Sequence, residues 1–505
     1  MKLVSPDMIP KIDEFAINKL GITEIELMRR SGDAVAHAVR ELSAGAEIVI
    51  LAGKGNNGGD GYAMGAMLSD AFSVSVLDVF SAGQRSDAGN YWLNRARECG
   101  VEFLSFENAP ERIKNASFIV DAIFGTGFSG KVPQSLGALA ELINNSAAKV
   151  VAVDVPLGVN AYDGTLDEIS VRADVTVALS YVKCGLLSYP ARARVGRIIE
   201  SDIGLDREII ERKFSFDSYY FDEGEALSLL PKRNDNSNKG SFGKTLLAVG
   251  SERYAGAAHL ALEAALRGGC GITYVATCEK LCTELRSKFP EAIYLPLDMK
   301  NPRNVNEVLQ IAANMDSVLV GCGSMPTLQL AEFTMRLIRE CDTRTIIDAD
   351  AITALSRYCS AEVLKSALRA PILTPHPLEL SRISGLSTEQ IQSARIGAAK
   401  SFAREYGAIV LLKGAATVVT DGDRLYINGS GSSALAKGGS GDVLSGLIAS
   451  VTAQGVSPLE AAALCAYLHG RAADSLAGEL SEFGVTPSDL PREIAKVIRK
   501  ITAKA

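Results

Sequence analysis

The sequence predicts two fused α/β domains, and three observations carry that prediction. Short β-branched runs recur along the chain, each ending in glycine or an acidic residue and each followed by helical periodicity. Apolar runs of this kind, separated by helices, mark parallel strands buried on both faces. The alternation is interrupted once, in the charged, weakly periodic stretch from DREIIERKF to LPKRNDNSNKGS, and starts again at GKTLLAVGS. Finally, 505 residues exceed one ordinary domain of about 100–200 residues. A boundary near residues 210–225 then gives a first domain over 1–215 and a second over 225–505.

In the first domain, helical stretches around DEFAINKLG and ITEIELMRRSGDAVAHAV precede the strand EIVILAG. SFIVDAIFGTG and KVVAVDVPLG supply two more strand ends. In the second, SVLVGCGS, TRTIIDADAI, APILTPHP and AIVLLKGAATVV read as strands and PREIAKVIRKITAKA as a terminal helix. The chemistry of such sheets sits at the carboxyl ends of the strands. The Gly, Asp, Asn, His and Lys clusters of this sequence fall there.

Composition narrows the class. With 47% hydrophobic and 22% charged residues the chain is not disordered. Lys plus Arg is 52 against 59 for Asp plus Glu, a net charge of −7, which lacks the footprint of a nucleic-acid or anionic-membrane binder. There is no apolar signal region and no run of about 18 apolar residues, so neither secretion nor a membrane span is expected. Nine cysteines without a C-x-x-C point to reduced thiols and a cytoplasmic location. Four histidines (His37, His259, His376, His469) without H-E-x-x-H exclude an ordinary zinc hydrolase.

The first constellation follows the strand IVILA: Gly53-Lys54-Gly55-Asn56-Asn57-Gly58-Gly59-Asp60-Gly61, ahead of the helical YAMGAMLSD. Glycines there permit positive φ and bring backbone N–H groups close to an anion. A tight turn without a ligand is the alternative, but it does not need two Asn and an Asp. The loop matches neither Walker A nor G-x-G-x-x-G. Asp121 ends SFIV ahead of Gly125-Thr126-Gly127, and Asp154 ends KVVAV. Either carboxylate alone could be a helix cap; two at successive strand ends point to a site.

The second constellation centres on Lys437-Gly438-Gly439-Ser440-Gly441-Asp442, which runs straight into the apolar helix VLSGLIASVTAQG. N–H groups at that helix start would form an anion hole for a transferring phosphoryl group, with Asp442 placed to accept a proton from an attacking hydroxyl. The alternative is an Asp that only complements the helix dipole. His376, in Thr374-Pro375-His376-Pro377, is a site residue or a core imidazole bonded to backbone.

GKGNNGGDG, DAIFGTGFSG, DVPLGVNAYDG and ADVTVALSYVKCGL resemble the epimerase domain of NAD(P)H-hydrate repair enzymes over residues 1–210, with a Rossmann-like three-layer sandwich implied. The resemblance implies that Asn56, Asn57, Gly58, Gly59, Asp60, the segment Gly125, Thr126, Gly127, Phe128, Ser129, Gly130, Lys131, and Asp154 hold a hydrated dinucleotide. It also implies K⁺ bound by Asn57, Asp121 and position 157. The family has Ser there and this chain has Leu157, so its carbonyl or a water is the substitute ligand.

The G-G-S-G-D unit resembles the ribokinase-like superfamily, and residues 225–505 are similar to its hydrate-dehydratase branch. Lys239-Gly240, Tyr254 to Ala257, Arg267 to Gly271, Asp348-Ala349-Asp350 and Lys413-Gly414 match that branch. By resemblance Ala257, Gly323, His376 and Asp442 would contact the hydrated dinucleotide. Lys413, Gly414, Ala415, Ala416, Thr417, Gly438, Gly439, Ser440 and Gly441 would contact the adenine nucleotide.

The implied activity is repair of hydrated NADH and NADPH. The first domain would interconvert the R and S hydrates with Asp154 as acid/base. The second would dehydrate the S form through Asp442, using ADP or ATP with Mg²⁺, and the fused layout favours ADP. A homo-oligomer is implied, since the dehydratase family commonly assembles as tetramers. Two rivals stay open: a ribokinase-like vitamin-precursor kinase, and a dehydratase whose first domain is a non-catalytic binding module.

Overall fold

The computed structural model describes residues 1–42, 47–80, 84–128 and 130–503. It divides into two compact units, Lys2–Ser218 and one that begins at Tyr219. Ser129 lies outside the described residues.

The first unit is built on seven strands: β1 (Glu47–Ala52), β2 (Ser73–Asp78), β3 (Glu102–Leu104), β4 (Phe118–Ala122), β5 (Lys149–Val153), β6 (Val175–Leu179) and β7 (Arg197–Ser201). They lie in the order β3-β2-β1-β4-β5-β6-β7, all pairs parallel. Strands β1, β4 and β5 are almost wholly buried, as continuous apolar runs require. The order reverses direction between β1 and β4, and ligands of open α/β sheets bind in the crevice outside such a switch point. The turns after β1 and β4 meet here, where the Gly53 N–H donates to the Ala122 carbonyl at 3.0 Å. Helices α1 (Ile9–Leu20), α2 (Glu24–Leu42) and α3 (Asn56–Leu68) frame this end of the sheet.

The structure corrects the expected N-N-G-G-D-G loop. Helix α3 starts at Asn56, and none of Gly53, Gly55, Gly58, Gly59 and Gly61 has positive φ. Gly53, Gly58, Gly59 and Gly61 serve close packing instead. A Cβ on Gly58 would sit 2.0 Å from the Gly53 carbonyl oxygen, and one on Gly59 2.4 Å from Met28 Sδ.

In the second unit, strands β8 (Lys244–Ala248), β9 (Ile272–Thr277), β10 (Ile293–Pro296), β11 (Ser317–Val320), β12 (Arg344–Ile347), β13 (Ile372–Leu373), β14 (Ile409–Leu412), β15 (Val418–Thr420) and β16 (Leu425–Ile427) form one sheet. Their order is β16-β15-β14-β13-β12-β11-β8-β9-β10. The pairs from β14 across to β10 are parallel; β15 and β16 add an antiparallel margin that the sequence reading did not contain. The switch point falls between β8 and β11. There the Gly250 N–H donates to the Cys322 carbonyl at 2.7 Å and the Ser251 hydroxyl to the Gly323 carbonyl at 2.7 Å.

Helix α4 (Ala255–Arg267) packs against α6 (Ser440–Ala453) over the sheet, α5 (Pro377–Ser384) follows β13, and α7 (Pro458–Gly484) packs on α6. The α4–α6 contact is close because its residues are small. A Cβ on Gly446 would meet the Ala261 carbonyl oxygen at 2.1 Å. Ala258, Ala261, Ala265, Val443 and Leu447 share one core there.

Two candidate active sites

In the first unit the switch-point crevice opens into a cavity of about 750 Å³. Of the residues expected there, Asn56, Asn57, Asp60, Gly125, Thr126, Gly127, Phe128 and Asp154 line it; Gly58, Gly59, Asp121, Gly130, Lys131 and Leu157 do not. Asn57 ties three strand ends together, its Nδ2 donating to the Phe124 carbonyl at 2.8 Å and the Val153 carbonyl at 3.1 Å. Phe124 and Phe128 stack with centroids 4.0 Å apart, giving the polar cavity one flat aromatic wall.

Asp154 sits at φ 64°, a left-handed conformation costly for a residue other than glycine. Its Oδ1 accepts from the Leu179 N–H at 3.2 Å and from the Lys183 ammonium. Lys183 is 1% exposed and also donates to the Leu179 carbonyl at 2.8 Å. Asp60 and Asp13 line the same cavity. Burial, then the negative charges of Asp154 and Asp13, push the Asp60 carboxyl well up. Burial likewise pushes Asp13 up to about 6, with Lys183 opposing and Asp154 and Glu24 adding.

The expected potassium set is corrected at position 157. The Leu157 N–H donates to Asp121 Oδ2 at 2.7 Å, its carbonyl accepts from the Val171 N–H at 3.0 Å, and its side chain lies in the apolar core with Ile119 and Ile123. Leu157 is thus a donor to Asp121 and a core residue, and its side chain does not offer the oxygen a hard cation needs. The other oxygen of Asp121 accepts from the Ile123 N–H at 3.2 Å, and burial pushes this carboxyl up to about 6. A carboxylate already committed to two backbone N–H groups, beside a leucine, does not fit the ion.

In the second unit Gly439, at φ 106°, turns the chain into α6, and Asp442 falls in its first turn. Asp442 stands beside Asp348, which ends β12 and is 1% exposed. Asp348 accepts from Lys413 Nζ at 2.9 Å, Thr374 Oγ1 at 2.7 Å, Ser445 Oγ at 2.9 Å and, weakly, Cys322 Sγ at 3.4 Å. Burial opposes its charge, yet Lys413 and the Thr374 hydroxyl hold it below the usual carboxylate range. Asp442 goes the other way: burial, then the Asp348 charge, push it up to about 6. Donor atoms of Cys322, Asp348 and Asp442 all lie within 4.8 Å of one another.

Of the remaining expected residues, Lys413 bonds Asp348; Gly441 and His376 lie next to Lys413 or its partner Glu379; and Ala257 packs on Gly323. A Cβ on Gly441 would be 3.3 Å from Lys413 Nζ, and one on Gly323 2.7 Å from the Ala257 Cβ. His376 caps α5: its Nδ1 accepts the Glu379 N–H at 3.2 Å and its N–H donates to the Glu379 carboxylate at 2.8 Å. That carboxylate is also 3.7 Å from Lys413 Nζ. Gly414, at φ 140°, and Ala416, at φ 51°, shape the turn after β14, and Thr417 Oγ1 closes it on the Gly414 carbonyl at 2.9 Å.

Sequence reasoning missed Asp13, Lys183, Cys322 and Arg395. Lys183 carried a signal, a lone lysine inside the apolar run VTVALSYVKCGLL. Arg395, 2% exposed, holds the carbonyls of Leu412 and Lys413 at 3.1 Å each from the start of the helix just ahead of β14, and nothing local marked it.

Comparison with known proteins bears on both units. A family model described as YjeF-related protein N-terminus matches residues 24–185, and one described as NAD(P)H-hydrate dehydratase matches 245–496. The bifunctional NAD(P)H-hydrate repair enzyme of Thermofilum pendens is 34% identical, covering 99% of this chain and 97% of its own. The chain belongs to the family of bifunctional NAD(P)H-hydrate repair enzymes. The repair enzyme of Escherichia coli K12 is 32% identical over 97% of this chain and 93% of its own. Among solved structures, a ribokinase-like superfamily protein from Enterococcus faecalis V583 aligns with TM-score 0.51 and 25% identity, over 57% of this chain and 98% of that one. The ADP/ATP-dependent NAD(P)H-hydrate dehydratase of Bacillus subtilis, co-crystallised with ATP/Mg²⁺, is 27% identical over 56% of this chain and 98% of that one, with TM-score 0.48. Two α/β units, the second ribokinase-like, are therefore the architecture of this repair-family chain. The vitamin-kinase reading leaves the matched residues 24–185 without a role.

Proposed function

We propose that the chain repairs hydrated NADH and NADPH, interconverting the R and S hydrates in its first unit and dehydrating the S form in its second. The observation that carries the reading is the contrast between Asp442 and Asp348. Asp348 is bound up by four donors, whereas Asp442, raised to about 6 by burial, is the carboxylate left to exchange a proton at the start of α6.

A ring hydroxyl leaves poorly, so it must first be activated. Asp442 accepts its proton as the oxygen attacks the terminal phosphoryl of ADP or ATP. The N–H groups of Gly438, Gly439 and Gly441 at the α6 terminus and the Lys413 ammonium face the developing charge. The P–O bond to the nucleotide breaks, releasing AMP or ADP; phosphate then departs with the C–O electron pair, the adjacent ring carbon loses a proton to solvent, and the ring double bond is restored. Mg²⁺, when bound, would neutralise phosphate charge; the Asp442 carboxylate would fit a hard cation carried on the nucleotide, whereas Asp348 is taken up by its four donors and the Cys322 thiol is too soft. In the first unit Asp154 exchanges the proton of the substrate hydroxyl, and no step is assigned to potassium.

Recovery of near-ultraviolet NADH absorbance from both hydrate epimers tests this, with Mg²⁺ and either ADP or ATP, with and without K⁺. Full recovery is expected. Recovery that stops once the S epimer is spent would leave a dehydratase joined to a binding module, the reading that Leu157 favours. No recovery with either nucleotide would remove the repair function.

A further inference from the structure

We infer that Asp13 is a second proton-transfer residue of the first site, acting as acid on the ring nitrogen while Asp154 acts as base on the hydroxyl; this rests on reading the first unit as an epimerase. Asp13 lies on α1, ahead of the residues 24–185 that match the family model. Ile12 and Ala16 bury the core face of α1, and Asp13 beside them borders the cavity that Asp60, Asp154 and Lys183 also line. Two ammoniums, Lys54 and Lys183, border this cavity with five carboxylates, Asp13, Glu14, Glu24, Asp60 and Asp154, and like charges crowded there oppose one another's ionisation. Lys183 is committed to Asp154 and to the Leu179 carbonyl. Among the described residues no cation pairs with Asp13 or Asp60. Asp60, in the first turns of α3, is 8% exposed, whereas Asp13 is only partly buried and open to the cavity. The charges that face Asp13 are Lys183, Asp154, Asp60 and Glu24, with Glu14 and Lys54 on the same lining. Two carboxyls on one cavity, Asp154 paired with Lys183 and Asp13 without a cation of its own among the described residues, are the arrangement an acid–base pair needs.

The hydrated carbon carries both the hydroxyl and the ring nitrogen, so it can open as a carbinolamine. Asp154 takes the O–H proton, the freed electron pair forms C=O, and the C–N bond breaks. Its electron pair takes the proton of Asp13 and becomes N–H. Rotation about the neighbouring C–C bond presents the other face of the aldehyde. In closure the nitrogen attacks that carbon, Asp13 recovers the N–H proton and Asp154 returns its proton to oxygen. The opposite epimer is formed, both residues are restored, and no oxidant or co-substrate is consumed.

The full chain carries its own comparison, because conversion of the R hydrate and dehydration of the S hydrate are read separately. Asp13→Asn is expected to slow R-to-S conversion by about 100-fold or more, the lower range for a lost general acid, with S dehydration unchanged. Wild-type conversion should fall on the alkaline side as Asp13 loses its proton, and Asp13→Asn should lack that limb. Asp13→Glu, which keeps the carboxyl, should convert at least about tenfold faster than Asp13→Asn. Conversion by Asp13→Asn at the wild-type rate with its alkaline limb intact overturns the inference. So does an equal loss in Asn and Glu variants, which assigns Asp13 to packing. Absence of conversion by the wild-type chain fails the epimerase reading itself.

Discussion

Asp442 and Asp348 are neighbours with opposite fates, and the difference lies in donors. Four groups stabilise the ionised form of Asp348; Asp442 meets mainly burial and the negative charge of its neighbour. Asp442 works as a base only when ionised, so dehydration should rise with pH through about 6 and level off above it, read as kcat against pH. Asp442→Asn should lower kcat by at least about 100-fold while dinucleotide binding persists; retained turnover removes the base assignment. Leu157 is a different case, since its side chain is fully buried among Val171, Ile119 and Ile123. Leu157→Ser, which restores the family's residue, leaves a cavity and a buried hydroxyl. It should cost about 3 kcal/mol of first-unit stability in urea unfolding, and an unchanged midpoint would show that the pocket accepts the hydroxyl.

At the scale of elements, strands were legible and one helix start was not. Each β-branched run read as a strand holds one, because burial on both faces writes itself into consecutive residues, although AIVLLKGAATVV holds two, β14 and β15, paired antiparallel. N-N-G-G-D-G read as a loop because glycine is the poorest helix former after proline. It is helical because only glycine lets α3 approach the Gly53 backbone and Met28, and tertiary packing overrides propensity. The same logic governs α6, where Gly446 meets the α4 backbone. Gly446→Ala gains helix propensity of about 1 kcal/mol but overpacks a rigid contact. A net loss of about 1–3 kcal/mol in second-unit stability is expected by calorimetry, with slower dehydration because α6 carries Asp442. A stabilised variant would show that the two helices can separate at no cost.

At the scale of the whole molecule, each unit has one switch point in its sheet, and each site lies at one. The contiguous part of both sites was legible for that reason: strand-end glycines and carboxylates occur together in the sequence. Asp13 and Lys183 were not, because one sits on a helix ahead of the sheet and the other behind a strand, in patterns that read as packing. The lining of the first site runs from Ile9 to Ile203, and the groups around Asp442 run from Ala257 to Ser445, so neither set borrows from the other unit. Chemistry at the two sites should therefore be separable by single substitutions. Asp154→Asn should stop R-to-S conversion and leave S dehydration within about threefold of wild type, while Asp442→Asn should do the reverse and let both epimers equilibrate without loss; effects at sites without shared partners are ordinarily independent. Epimer-resolved chromatography of one reaction reads both rates. If Asp154→Asn also slows S dehydration, the two units share more than a chain, and the separate-site account fails.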